Sequence, residues 1–319
     1  MQLSLVYHYL RSQSGIKLYV LFGILDIFDR LLTSIGQDVI EALHTTTLRG
    51  VKNNKLRVVF DFVAALFYNV THSMLKFVQL VTLNVAMNSK SNAVLTLVIS
   101  SNFAEMKSLV FKRFDESNVF QISCADIVER FMLATFLTLV FVQNWAQSSL
   151  SVFEYVRDIS FQHQFVVAAE IWFCEVLVDW IKHAFVSKFN KISYKSYDKF
   201  ALIIGNDMLS HRRVAFHNNM DSTHAVTQRL GLASFPLTCV IVRICGSHLS
   251  RFANLQTWIG YVVLCLAFMC VFALKILSSQ LLMAYCMVQS RRSERSIDAL
   301  GLGKLASIKR YTLHKNRIP

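Results

Sequence analysis

The sequence predicts an all-α, polytopic membrane protein with about four to six spans plus amphipathic or interfacial helices. Three observations carry that prediction. Apolar residues make up 54% of the 319-residue chain and charged residues only 17%, where soluble domains carry roughly 45–50% and about 25%. The apolar excess is gathered into runs long enough to cross a bilayer, and basic segments separate them. Only two prolines and ten glycines occur, so few points interrupt long helices. Pro319 closes the chain, and Pro236 opens an apolar run at a position where a first helical turn tolerates it.

Residues 16–43 place Leu21, Leu25, Phe28, Leu32, Ile35 and Val39 at three- and four-residue spacing, the period of an amphipathic helix. Asp26, Arg30, Thr33 and Gln37 form a polar stripe on another face, with Asp26 and Arg30 spaced for an i,i+4 pair. Charges at its centre make this a poor isolated span, expected to lie in the interface or to pack on other helices. After the basic patch "RGVKNNKLR", residues 58–86 are long enough to span with tilt, although Asp61, His72 and Lys76 interrupt them. The sole glycosylation sequon, Asn69-Val70-Thr71, falls in the middle of that run and reads as chance, since modification does not reach membrane depth. A weaker run over 93–111 carries Glu105 and Lys107 and is expected to be buried or re-entrant. In the mixed-charge connection that follows, Ser123 stands three residues before Asp126, the spacing of a helix cap.

Residues 131–153 form a cleaner span and 164–186 another. Residues 187–230 are polar and basic and are expected to form a cytosolic helical loop. Runs at 235–249 and 257–289 follow, the second with Lys275 as its only charge, and a basic tail begins at Arg291. The expected organisation is an N-terminal flank (1–15), a multi-pass helical membrane domain (16–290) and a basic cytosolic tail (291–319). The formal net charge of +13 comes from Lys and Arg between the apolar runs, and no nucleic-acid motif accompanies it. Cytosolic loops facing anionic lipid head groups account for the charge, and no nucleic-acid partner is expected. If the runs pair as hairpins, 49–57, 107–113, 187–213 and 291–319 all face the cytosol, leaving short lumenal links near 87–92, 155–163 and 250–256. The seven cysteines form no C-x-x-C pair and lie mostly in apolar runs, so neither a disulfide framework nor a zinc site is expected. The first fifteen residues lack the features of a signal peptide, and targeting is expected from the first membrane segment.

The stretch "EVLVDWIKHAFVSKFNKI" concentrates the candidate chemistry. Glu175, Asp179 and Lys182 follow at spacings of four and three, and His183 lies four from Asp179. One reading is an ion or proton route, because ionisable groups inside a membrane are costly and usually functional. The other, which the spacing favours, is a helix end: Asp179 closes on Lys182 or His183, Lys182 and Lys188 snorkel to head groups, and Glu175 faces the bundle without an obvious partner. His217, Asp221 and His224 share a helical face at a spacing zinc accepts, but with no evident fourth ligand they read as a polar surface. No phosphate-cradling loop, nucleophile elbow or zincin motif occurs, so neither an enzyme nor a cofactor is expected. "RRSERS" in the tail suits contact with anionic lipid relieved by phosphorylation, but a solvated positive-inside flank is the favoured reading.

Several blocks resemble a known family. "IKLYVLFGILDIFDRLLTSIGQDVIEAL", "LNVAMNSKSNAVLTLVISSNFAEMKSLVFKRFDESNVFQISCADIVERF", "DWIKHAFVSKFNKI", "THAVTQRLGLASFPLTCVIVRICGS" and "FALKIL" are similar, in order, to blocks of the transmembrane anterior posterior transformation protein family. The resemblance covers about residues 16–290. It implies a multi-pass protein of the endoplasmic reticulum and related endomembranes, acting through protein partners in protein folding or stability and, in animals, at the cilium and its basal body. A SUN-like membrane protein is the partner implied by the yeast member. The resemblance brings no catalytic residues and no metal site. Many members also carry a long polar N-terminal region that this sequence does not show. A channel or transporter, with Asp61, Lys76, Glu105, Glu175 and Asp179 lining a polar route, is the alternative.

Overall fold

The computed structural model describes residues 15–48, 55–88, 103–109, 112–148, 152–218, 227, 229–247 and 258–293. Among the described residues the chain is helical and forms no strand. The helices are α1 (Gly15–Leu48), α2 (Lys55–Met87), a short α3 over 103–109, α4 (Glu116–Gln147), α5 (Val152–Arg157), α6 (Ile159–Asn190), α7 (Lys195–Asn218), α8 (Ser234–Ser247) and α9 (Trp258–Ser293).

Two of them are long and apolar enough to cross a membrane by length and composition: α2, and residues 260–289 of α9. Their surroundings differ. Every residue of α2 from Gln79 to Met87 is buried, whereas Leu56, Phe60, Phe62, Leu66 and Phe67 in its first half are exposed. The exposed residues of α9 include Val263, Phe268, Met269, Phe272, Leu274 and Leu281, which go all the way round the helix. A helix apolar on every side is stable only in a protein core or in lipid, and this one is not in a core. Helices α4 and α6 each have 32 residues, about 48 Å at 1.5 Å per residue, and both carry charges paired inside the fold. Helix α8 has only 14 residues, short of the roughly 20 a span requires.

By its contacts the chain divides into two compact units. The first comprises Met1–Lys112, Asp126–Phe185 and Gly231–Gly246. Its core is built from Leu80 and Leu83 of α2, Met132, Phe136 and Val140 of α4, Ala168 and Ile171 of α6, and Leu237, Val240 and Ile244 of α8. These recur at three- and four-residue steps, so each helix presents one seam to the others. In lipid such seams are held by close packing rather than by expulsion of water.

Helices α1 and α2 pack against one another, and their contacts run in opposite chain directions. Asp29 meets Lys76, Gly36 meets Tyr68, and Thr46 Oγ1 lies 2.7 Å from Asp61 Oδ2. At Gly36 a Cβ would stand 2.0 Å from both Cζ and Oη of Tyr68. Gly36→Ala is therefore expected to force the ring aside and to lower stability in detergent by about 1–3 kcal/mol, the usual cost of overpacking. A thermal melt checks this, and Tyr68→Ala in the same chain should recover part of the loss. The sequon residue Asn69 is engaged too, its Nδ2 donating to Cys239 Sγ at 3.4 Å.

The second unit comprises Arg113–Ala125, Val186–Leu230 and Ser247–Pro319. Its core joins Val119, Phe120 and Cys124 to Val186, Phe200 and Ile203. Helix α6 stops at Lys191, whose φ of 56° is left-handed. The Ile192 amide then donates back to Ser187 O at 3.0 Å, closing the last turn as a Schellman cap does. Next to it, Phe114 N–H donates to Asn190 Oδ1 at 2.7 Å.

Near the start of α4, Lys199 Nζ lies 3.0 Å from Glu116 Oε1. Partial burial pushes the Glu116 carboxyl up, but hydrogen bonds from Ser196 and Lys199 and the Lys199 charge outweigh it and hold Glu116 below its ordinary 4.5. With the folded value depressed, the unfolded chain binds the extra proton, so this contribution is present above 4.5 and lost as pH falls through the folded value. Melting curves of the wild type and Glu116→Gln between neutral and acid pH are expected to differ at pH 7 and to converge in acid.

Two sequence expectations change here. Ser123 does not cap a helix: α4 already begins at Glu116, and Ser123 Oγ donates to Val119 O at 2.9 Å inside it. Asp115, one position ahead, takes that place, its carbonyl accepting from Val119 N–H at 3.2 Å. The expected connection at 155–163 is also almost absent, since α5 and α6 leave only the bend at Asp158 between them.

Candidate functional site

The first unit contains a network of ion pairs, two of its three parts buried. On α1 and α2, Asp29 accepts from two neighbours. His72 Nε2 is 2.8 Å from Asp29 Oδ1, and Lys76 Nζ is 2.7 and 2.8 Å from its two oxygens. Tyr68 Oη lies 2.9 Å from His72 Nδ1. A neutral imidazole with its proton on Nε2 satisfies the whole chain: Tyr68 donates to His72, and His72 donates to Asp29. His72 and Lys76 sit one helical turn apart, which is why one carboxylate reaches both.

The second part joins α4 and α6. Lys182 Nζ lies 2.8 Å from Asp126 Oδ1, 3.0 Å from Asp179 Oδ1 and 3.4 Å from Glu105 Oε1 of α3. His183 Nε2 is 2.7 Å from Asp126 Oδ2, and Arg130 Nη1 is 2.7 Å from Asp179 Oδ2. Lys182 is 3% and Asp126 1% exposed. Lys182 thus does not snorkel to a surface; it turns inward and holds three carboxylates, because a cation at that position finds no water to reach. The third part centres on Arg30, with Nε 3.1 Å from Asp26 Oδ2 and Nη2 2.9 Å from Glu129 Oε1.

A cavity of about 140 Å³ lies among these groups, lined by Asp26, Asp29, Arg30, Lys76, Glu105, Glu129 and Glu175 with Gln79 and apolar side chains. Glu175 faces it and is not isolated. Of the residues the sequence singled out, Asp26, Arg30 and Glu175 line the cavity, while Asp179, Lys182 and His183 stand in the ion-pair cluster behind Glu105. Asp29, Asp126 and Glu129 were missed as site residues. Their one sequence signal is spacing: Asp126, Glu129 and Arg130 share a face of α4, and Asp29 lies on α1 beside the Asp26–Arg30 pair. The His217, Asp221 and His224 side chains, and the tail from Glu294, lie outside the described residues.

A family profile described as "Eukaryotic membrane protein family" matches residues 1–291. The chain belongs to that family. Among its relatives, a "Protein TAPT1 homolog" of Dictyostelium discoideum is 36% identical over 303 residues, covering 89% of this chain and 35% of the relative. The "Endoplasmic reticulum membrane protein 65" of Schizosaccharomyces pombe is 33% identical, covering 80% of this chain and 39% of the relative. A human protein, "Transmembrane anterior posterior transformation protein 1 homolog", is 33% identical over 285 residues, covering 88% of this chain and 48% of the relative. The Dictyostelium and human names are those of the family that the sequence blocks resemble. The Schizosaccharomyces pombe and human names are those of membrane proteins. The chain spans between about a third and a half of the length of these relatives. No solved structure matches it.

Proposed function

We propose that the chain is a non-enzymatic integral membrane factor of the endoplasmic reticulum that acts by holding protein partners, in the folding or stability of other proteins. The observation that carries this reading is the family match across residues 1–291, within which a relative is named for the endoplasmic reticulum membrane. The ion-pair network supports it: cations and carboxylates paired across helices make a bundle rigid, as a scaffold requires. On this reading the basic segments rest on anionic lipid, a SUN-like membrane protein is among the partners, and in ciliated cells the chain also serves at the basal body. Tagged protein taken from endomembranes in mild detergent is expected to bring stable membrane partners, and cells without it to show changed client abundance. Partner-free recovery together with unchanged clients would falsify the reading.

A second reading, a channel or transporter, has one observation in its favour: the cavity and its acidic lining. Ion flux through reconstituted vesicles that disappears in Glu129→Gln would support it, and absence of flux across varied ions counts against it.

A further inference from the structure

We infer that the first unit holds one anionic phospholipid in a groove between α2 and α8, its phosphate on Arg243 and an acyl chain along the apolar wall. A cavity of about 350 Å³ lies there, within the size of small-molecule sites, roughly 300–1,000 Å³. Arg243, Asn69, Ser73 and Cys239 supply its polar atoms, and Val70, Met74, Phe77 and Val240 the rest of its wall. The two helices run in opposite directions past it: Asn69 Nδ2 is 3.4 Å from Cys239 Sγ, and Ser73 Oγ is 3.4 Å from Pro236 O. Arg243 follows Cys239 by one turn, while Met74 and Phe77 lie the other way along α2. The groove thus has a cationic end and an apolar end, with about 12 Å of helix between Asn69 and Phe77. Val70 and Met74, 51% and 49% exposed, leave it open on the side from which a lipid enters.

Charge decides the occupant. Arg243 is the only charged residue of α8, and no carboxylate lines the cavity. It makes no ion pair among the described residues, unlike Lys76 and Lys182. The groove lies against α2, one of the two helices apolar enough to span, and an arginine at such depth needs an anion. The fold supplies none, and a lipid phosphate does, since a guanidinium grips two of its oxygens at once. Basic pockets between membrane helices take anionic head groups in this way.

An independent observation comes from α2. Asn69 Oδ1 is buried and has no hydrogen-bond partner, which is costly for an acceptor. Asn69 lines the groove, and a turn of its amide presents Oδ1 to a hydroxyl of the lipid. A free phosphate would satisfy Arg243 but leave the apolar wall empty. An acidic peptide would bring unpaired backbone groups to lipid depth. The site requires only membrane residence, which the family match carries. It is read on purified protein without partners, and so fails or holds separately from the scaffold reading.

The test is native mass spectrometry of the full chain, stripped of lipid in detergent and titrated with dioleoyl phosphatidylinositol. One lipid per chain is expected to bind saturably, about fivefold or more tighter than dioleoyl phosphatidylcholine, the weight of one basic residue beside anionic lipid. Arg243→Gln should weaken binding at least about tenfold, as loss of a charged hydrogen bond does. Lys275→Gln, which removes an exposed cation of α9, should leave binding unchanged. Val70→Trp fills the groove without altering charge and should weaken binding at least about threefold; it decides alone if Arg243→Gln does not yield folded protein. Equal binding of phosphatidylcholine, displacement of the lipid by inorganic phosphate, or an equal loss in Lys275→Gln overturns the site. Unchanged binding in Arg243→Gln or in Val70→Trp overturns it as well.

Discussion

Lys182→Met is expected to lower the unfolding free energy in detergent by about 3–5 kcal/mol, the cost of breaking a buried ion pair from one side. Methionine keeps the length of the side chain but removes the charge, so packing is nearly preserved. What remains is Asp126 and Asp179, 1% and 4% exposed, with part of their countercharge gone and Glu105 close by. Arg130 still holds Asp179 and His183 still holds Asp126, which keeps the loss within that range. Adding Asp126→Asn to Lys182→Met should recover a large share, because it removes the charge left behind. The double-mutant cycle then measures the coupling directly. A single-variant loss below about 1 kcal/mol would show that water reaches this cluster. For contrast, the Asp26–Arg30 pair is 44% and 49% exposed, and breaking it alone is expected to cost only about 0.3–0.5 kcal/mol.

That difference also separates what could be read in the sequence from what could not. The helical character, the place of α9 and the amphipathic α1 follow from hydrophobic period and run length, which are local. The spacings of Asp26 with Arg30 and of Asp179 with Lys182 are local too. Asp126 with Lys182 spans 56 positions, and Lys76 with Asp29 spans 47; no periodicity reports such distances. The same gap explains the misplaced start of α4. A serine three residues before an aspartate has cap spacing, yet the stretch from Glu116 is already helical because its Val119, Phe120 and Cys124 bury against Val186, Phe200 and Ile203. Tertiary packing there overrides a local signal. The expected pair of Asp179 with Lys182 is present at 3.0 Å, but the expected snorkelling of Lys182 fails for a related reason: it presumes that no carboxylate is nearer than the surface, and three are.

Asp29→Leu is expected to be as damaging as Lys182→Met, about 3–5 kcal/mol, and for a reason specific to a membrane. Lys76 lies within α2, one of the two helices apolar enough to span, and its side chain is 4% exposed. A lysine at such depth needs an anion delivered from another helix. Helix α1 supplies it: a charge that makes α1 a poor span by itself offsets the buried lysine of α2. Leucine at position 29 leaves Lys76 and His72 without their shared acceptor, so the α1–α2 hairpin should open first. Asp29→Asn keeps an acceptor oxygen but loses the charge, and should cost less, about 1.5–3 kcal/mol. Lys76→Met added to Asp29→Leu should restore stability toward wild type, since an apolar pair of similar size replaces the ion pair without leaving a charge behind. Thermal melts of these three variants decide it. Equal losses for Asp29→Asn and Asp29→Leu, with no recovery in the double variant, would mean that Lys76 finds another counter-charge and that α1 is held by packing at Gly36 and Tyr68 alone.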